Sequence, residues 1–196
     1  TLVEATSVLS RLVENIRDSA LQLRMVQIGE TFNRFHRVVR DVSKELGKDI
    51  ELRITGGETE LDKSVVEKIG DPLMHLVRNS MDHGIEPAEV RLANGKPAQG
   101  RVDLNAFHDS GSIVIEVADN GCGMDAATLA RVYEPFFTTK PKGKGTGLGL
   151  AMAYAFARQS GGALRIRSVP DRGTNIHLFI PTLSTSSNIQ TGAWDD

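Results

Sequence analysis

His75, Asn79, Asp82 and His83 follow one another at steps of four, three and one residues. Placed 100° apart per residue on a helix, they share an arc of roughly 100°, while Leu73, Leu76, Val77 and Met81 take the other side. Such a helix can press its apolar side on a sheet and point four polar groups into one space. The amide oxygen of Asn79 is a neutral ligand suited to a hard cation such as Mg²⁺, leaving the ion's charge for phosphate oxygens. His75 and His83 can contact such oxygens, and His75 can also serve as a base. A solvated helix face would carry the same residue types, so the helix alone does not decide between the two readings.

Two glycine-rich segments downstream favour the first. Asp119-Asn120-Gly121-Cys122-Gly123 comes directly after an apolar strand pattern, Ile113–Val117. A carboxylate at a strand end can accept a hydrogen bond from an exocyclic amine such as that of adenine. Gly121 and Gly123 would let the backbone pass close to the base with no Cβ in the way. Cys122 has no basic neighbour in sequence and reads as a bystander. Further on, Gly143 to Leu150 opens an apolar helix and includes Gly145, Thr146, Gly147, Leu148 and Gly149. Free N–H groups at a helix start attract phosphate, and the helix dipole adds to the attraction. Lys140, Lys142 and Lys144 add positive charge. The G-x-x-x-x-G-K-[ST] pattern of a P-loop is absent, and the glycine spacing is wrong for a dinucleotide fingerprint.

The elements that must hold these residues can be read from periodicity. Leu2, Ala5, Leu9, Leu12, Ile16 and Leu23 predict a helix over 2–23, and Ile28 to Leu46 a second, stopped at Gly47. Ile50, Leu52 and Ile54 alternate as a strand, followed by a helical stretch at 64–69. A separate helix is predicted from Asp71 as N-cap, with Pro72 at its first position and Gly84 past its end. Strands are expected at 101–107, 112–118, 163–168 and 174–180, with helices near 125–132 and 147–160. Strands and helices mixed without strict alternation predict an α/β two-layer sandwich, a mixed sheet covered by helices, with an N-terminal helical segment. Residues 182–196 are expected to form a mobile tail.

Composition narrows the function classes. Hydrophobic residues make up 40% of the 196, enough for a core, and a net charge of −2 gives no electrostatic reason to expect nucleic acid. A single cysteine rules out an intrachain disulfide or a cysteine-built zinc site. No apolar run reaches membrane-spanning length, so a cytoplasmic protein without membrane insertion is expected.

The ordered set of polar helix, D-x-G-x-G, Tyr133-Glu134-Pro135-Phe136-Phe137, G-x-G-x-G-L-G-L and Gly173-Thr174 resembles the Bergerat-type ATPase fold of sensor histidine kinases, over about residues 49–181. Upstream, Leu23-Arg24-Met25-Val26, Phe32-Asn33-Arg34-Phe35, Thr59-Glu60-Leu61-Asp62 and Asp71 to Pro87 resemble the CheA-type chemotaxis kinases. His36 stands where that family usually has proline, and the lid is like that of ordinary sensor kinases. The resemblance implies a helical dimerisation-type segment at 1–47 and an ATP-binding catalytic domain at 48–181. It implies ATP and Mg²⁺ as ligands. His75 would act in catalysis, Asn79 on the metal, and Asp82 and His83 beside the phosphates. Asp119 would select adenine, with Thr174 assisting through a water, and Lys140, Lys144 and residues 145–149 would close over the phosphates. Implied partners are a histidine phosphotransfer domain, a response regulator downstream, and a second copy in a full-length homodimer.

Of the histidines, His36, His75, His83, His108 and His177, none stands in the His-Glu/Asp context that sensor kinases phosphorylate. The acceptor is therefore expected on a separate domain. Two other readings stay open on sequence grounds: an ATPase of the gyrase or mismatch-repair type, and a non-catalytic nucleotide-binding signalling module.

Overall fold

Alternation is clearest in two long strands, Gly100–Asp109 and Ser112–Asp119, where Val102, Leu104, Ile113, Ile115 and Val117 are buried on one side. Arg101, Asp103, Asn105 and Glu116 look the other way and are half-buried. Ser110 and Gly111 join the strands with φ of 47° and 80°, the left-handed pair that a tight hairpin turn requires. The computed structural model describes residues 2–134, 136–137 and 147–182.

In chain order the elements are α1 (Leu2–Gln22), β1 (Met25–Gln27), α2 (Gly29–Leu46), β2 (Ile50–Thr55), β3 (Glu60–Asp62) and α3 (Lys63–Asn79). A π turn (Ser80–Gly84) and α4 (Ala88–Ala93) precede the two long strands, β4 (Gly100–Asp109) and β5 (Ser112–Asp119). Then come α5 (Ala126–Arg131), α6 (Gly149–Gln159), β6 (Ala163–Val169) and β7 (Gly173–Pro181). The main sheet has the order β2-β4-β5-β7-β6. Only β2 and β4 run parallel; the other pairs are antiparallel. One face packs on helices: Leu73, Leu76 and Val77 of α3, Ala153 and Ala157 of α6, and Phe32, Phe35 and Val39 of α2 join the sheet residues in one core.

Most predicted elements are present, and the differences are informative. Gly47 ends α2 at φ 63°, and Lys48 donates its N–H to the Ser43 carbonyl, as a glycine stop should. Asp71 and Pro72, by contrast, do not begin a helix. One helix runs through from Lys63, capped by Asp62, whose carboxylate accepts from the Ser64 N–H at 2.8 Å. Pro72 lies inside it and is buried with Ile69 and Leu73. Burial of that face outweighs the missing hydrogen bond, and Lys68, whose carbonyl loses its partner, is exposed to water. At the other end the helix widens instead of stopping: the Ile85 N–H donates to the Ser80 carbonyl at 2.8 Å, so Gly84 lies within the π turn.

The short ribbon β1–β3 and helix α4 went unpredicted, being too brief to carry a period. Among the described residues of α1, every side chain is exposed, Leu9, Leu12 and Ile16 included. The tail expected to be mobile lies outside the described residues beyond Thr182.

Candidate functional site

Asp119 closes β5, and its backbone pairs with Thr174 of β7. The residue is 9% exposed. Oδ1 accepts from the Gly121 N–H at 3.0 Å and the Thr174 N–H at 3.3 Å. Burial pushes the carboxyl up from its ordinary range, against the downward pull of hydrogen bonds from Gly121, Ser80 and Thr174. A buried carboxylate held by fixed donors is oriented toward whatever enters beside it.

The space it faces is a cleft of about 800 Å³. The cleft collects residues from many segments, among them His75, Arg78 and Asn79 of α3, Asp82 and His83 of the π turn, Asp119 and Gly123, Gly147 and Gly149 at the start of α6, and Thr174 and Ile176 of β7. Ideal helix geometry does not hold for Asp82 and His83, because the π turn shifts both. They reach the cleft all the same, and His83 Nε2 lies 2.9 Å from Asp82 Oδ2.

The glycines also have a reason within the chain itself. A Cβ on Gly121 would lie 1.9 Å from the Gly84 carbonyl oxygen, and one on Gly123 (φ 66°) would lie 2.0 Å from that of Val169. Close packing within the chain demands a glycine at both positions; Gly123 lines the cleft and Gly121 does not. Gly149 is pressed onto the polar face of α3: its Cβ position lies 3.1 Å from Asn79 Nδ2. That contact brings the positive end of the α6 dipole to the amide of Asn79. Leu148 does not line the cleft. Lys140, Lys142, Lys144, Gly145 and Thr146 lie outside the described residues.

Three further residues escaped sequence reasoning. Arg78 lines the cleft while pairing with Glu45, and the hydroxyl of Ser80 supports Asp119. Lys48 gathers the carbonyls of Met81, Asp82 and Ile85 at 2.8–2.9 Å, pinning the π turn. Cys122 also lines the cleft. Burial pushes its thiol up, and Glu86 and Asp119 push the same way, so it is a poor nucleophile.

Toward a divalent ion Asn79 offers one neutral amide oxygen, with Asp82 and His83 lining the same cleft. Among the described residues no group of three or more His, Cys, Asp or Glu could hold a metal by itself. That composition suits Mg²⁺, which keeps several waters and arrives with substrate phosphates rather than entering an all-protein cage.

A buried carboxylate, an amide and a glycine-opened helix around one cleft of a helix-on-sheet sandwich define a nucleotide-binding module of the ATPase type. Over residues 68–184 the chain matches the family described as histidine kinase-, DNA gyrase B-, and HSP90-like ATPase. It belongs to that family, and the helix-covered mixed sheet is its Bergerat fold. The chain is 49% identical over 128 residues to the sensor histidine kinase CheAY of Helicobacter pylori, covering 65% of this chain and 16% of that one. It is 48% identical over 124 residues to the chemotaxis protein CheA of Bacillus subtilis, covering 63% and 18%. Against CheA of Salmonella typhimurium the identity is 35% over 204 residues, covering 92% and 30%. The chain thus spans less than a third of the length of these relatives. Among solved structures, the mycobacterial sensor histidine kinase MprB matches with a TM-score of 0.56 at 26% identity, covering 80% of this chain and 95% of that one. No helix among the described residues is long and apolar enough to cross a membrane.

Proposed function

We propose that this chain is the catalytic domain of a chemotaxis-type histidine kinase, which binds ATP with Mg²⁺ and passes the γ-phosphoryl group to a histidine on a separate phosphotransfer domain. The observation that carries this reading is the meeting of Asn79 and Asp119 in one cleft, with the start of α6 against Asn79. Residues 48–181 are the nucleotide-binding unit, and 1–47 are the helical approach to it, with α2 packed on its core. Asp119 accepts the exocyclic amine of adenine, and Thr174 supports it. Asn79, with Asp82 and His83 alongside, faces the phosphates, and Gly147 and Gly149 offer backbone N–H groups from the α6 start. Lys140, Lys144, Gly145 and Thr146 complete the lid in this reading.

Phosphoryl transfer asks chiefly for positioning and charge stabilisation. When bound, Mg²⁺ neutralises charge on the phosphate oxygens. The chain's own contribution is to fix the base at one end and the phosphates at the other. His75, which lines the cleft from α3, polarises the reacting region or takes the proton that the attacking imidazole releases in this reading.

Names among the relatives support a kinase over a gyrase-type ATPase, and with it a response regulator downstream; a second copy of the full protein belongs to the same proposal. His36 is exposed on α2, His108 is exposed near the end of β4, and His177 contacts Glu116, so none of the three lies in the cleft. The test is incubation with γ-labelled ATP, alone and with a histidine phosphotransfer domain. Acid-labile label on the added domain is expected. Label on His36 of the chain alone would overturn the separate acceptor, and steady phosphate release without phosphohistidine would favour the ATPase.

A further inference from the structure

Behind the Asp119 turn, away from the cleft, lies a buried ionic cluster that no part of the proposed reaction uses. Arg91 of α4 is 0% exposed. Its guanidinium pairs with Glu86 at 2.7 Å and donates to the carbonyls of Pro97 at 2.8 Å and Asn120 at 3.1 Å. Lys96 pairs with the other oxygen of Glu86 and donates to the Gly121 carbonyl at 2.7 Å. A longer contact, 3.5 Å, reaches the Asn120 carbonyl. Fully paired, such a cluster is tolerable in the interior; robbed of one member it leaves a charge without a partner.

What makes the cluster more than a staple is which peptide it grips. The Asn120 carbonyl belongs to the same planar unit as the Gly121 N–H, and that N–H donates to Asp119 Oδ1. Arg91 therefore holds one end of a rigid peptide whose other end orients the carboxylate, and Lys96 grips chiefly the next carbonyl along, that of Gly121. Donation to the carbonyl also polarises the N–H, strengthening the bond it makes. A tilt of this peptide would swing the Asp119 oxygens relative to the base.

We infer that Arg91 and Lys96, joined through Glu86, are positioning residues that set recognition of the purine amine by holding Gly121 from behind on both sides, Arg91 through the Asn120 carbonyl and Lys96 through the Gly121 carbonyl. This rests on the reading of Asp119 as the adenine ligand. Lys96 is the better probe, because its side chain is 14% exposed and its replacement leaves Arg91 still paired with Glu86.

The experiment is calorimetric titration of the chain with ATP and with purine riboside triphosphate, which lacks the 6-amino group. The unaltered chain should prefer ATP. Lys96→Met should cut that preference about fivefold, the weight of one well-placed hydrogen bond, and Lys96→Arg should restore most of it. A merely structural role would lower the thermal midpoint of Lys96→Met and leave the preference untouched; that result overturns the inference. Asp119→Asn in the same assay separates the two claims. If it abolishes the preference while Lys96→Met does not, only the inference fails. If the unaltered chain shows no preference, or Asp119→Asn retains it, the adenine reading fails and the inference with it.

Discussion

Replacing Asp119 by Asn exchanges one carboxylate oxygen for an amide nitrogen and leaves the shape almost unchanged. Oδ1 keeps its two backbone donors, Gly121 and Thr174. What disappears is a buried negative charge. Taking a carboxylate out of water costs several kcal/mol, and each hydrogen bond to the ionised group returns about 1.5–3 kcal/mol. Three such bonds nearly balance the cost, and the upward shift of the carboxyl says that burial still wins. The remainder is on the order of 1 kcal/mol against the folded state at neutral pH. Asp119→Asn should therefore stabilise the nucleotide-free protein by about that amount, raising the thermal midpoint by about 2–4 °C. It should also weaken ATP binding at least about tenfold if the carboxylate receives the base.

The pH dependence has a definite sign. Below the unfolded value of 3.8 the acid is neutral in both states and the penalty is absent. As pH rises from 3.8 through the raised folded value, the folded state holds the proton longer and the unmodified protein loses stability relative to the variant. Above that window the gap is constant. Urea midpoints of both proteins between about pH 4 and pH 8 measure it. A variant less stable than its parent at neutral pH, or a gap that shrinks as pH rises, would refute the reasoning.

Other expectations come from single contacts. Lys48→Met removes an ammonium from three carbonyls of the π turn; a loss of about 2–4 kcal/mol in chemical denaturation is expected. Gly123→Ala puts a Cβ 2.0 Å from the Val169 carbonyl oxygen at a φ of 66°, and should cost about 3 kcal/mol or more. Asn79→Ala should remove the Mg²⁺-dependent part of ATP affinity, read as the ratio of dissociation constants with and without the ion; an unchanged ratio sinks the metal assignment. Leu9→Lys with Ile16→Lys alters positions that are 63% and 67% exposed. Stability should stay within about 0.5 kcal/mol of the parent, and a larger fall would mean that α1 packs on the domain.

Much of this architecture could be read from local chemistry. Alternating side chains marked β4 and β5, a left-handed glycine marked the end of α2, and the order of polar helix and glycine turns marked the family. Those signals need only neighbours in sequence. The run through Pro72 could not be read that way, because its driving force is the burial of Ile69, Pro72 and Leu73 against a core assembled from distant strands. Nor could the reason for Gly121 and Gly123, whose Cβ positions are blocked by backbone at residues 84 and 169.

The sequence by itself determined most of the stretches that become helix or strand and which residue types are available for chemistry, since period and turn preference are properties of short segments. Tertiary structure alone decided which charges end up buried and what they hold. Lys48 finds its carbonyls 33–37 residues away. Arg91 finds the Asn120 carbonyl 29 residues away, and Lys96 that of Gly121 at 25. A lysine or arginine reads as a surface residue until the fold supplies acceptors that water would otherwise have to replace.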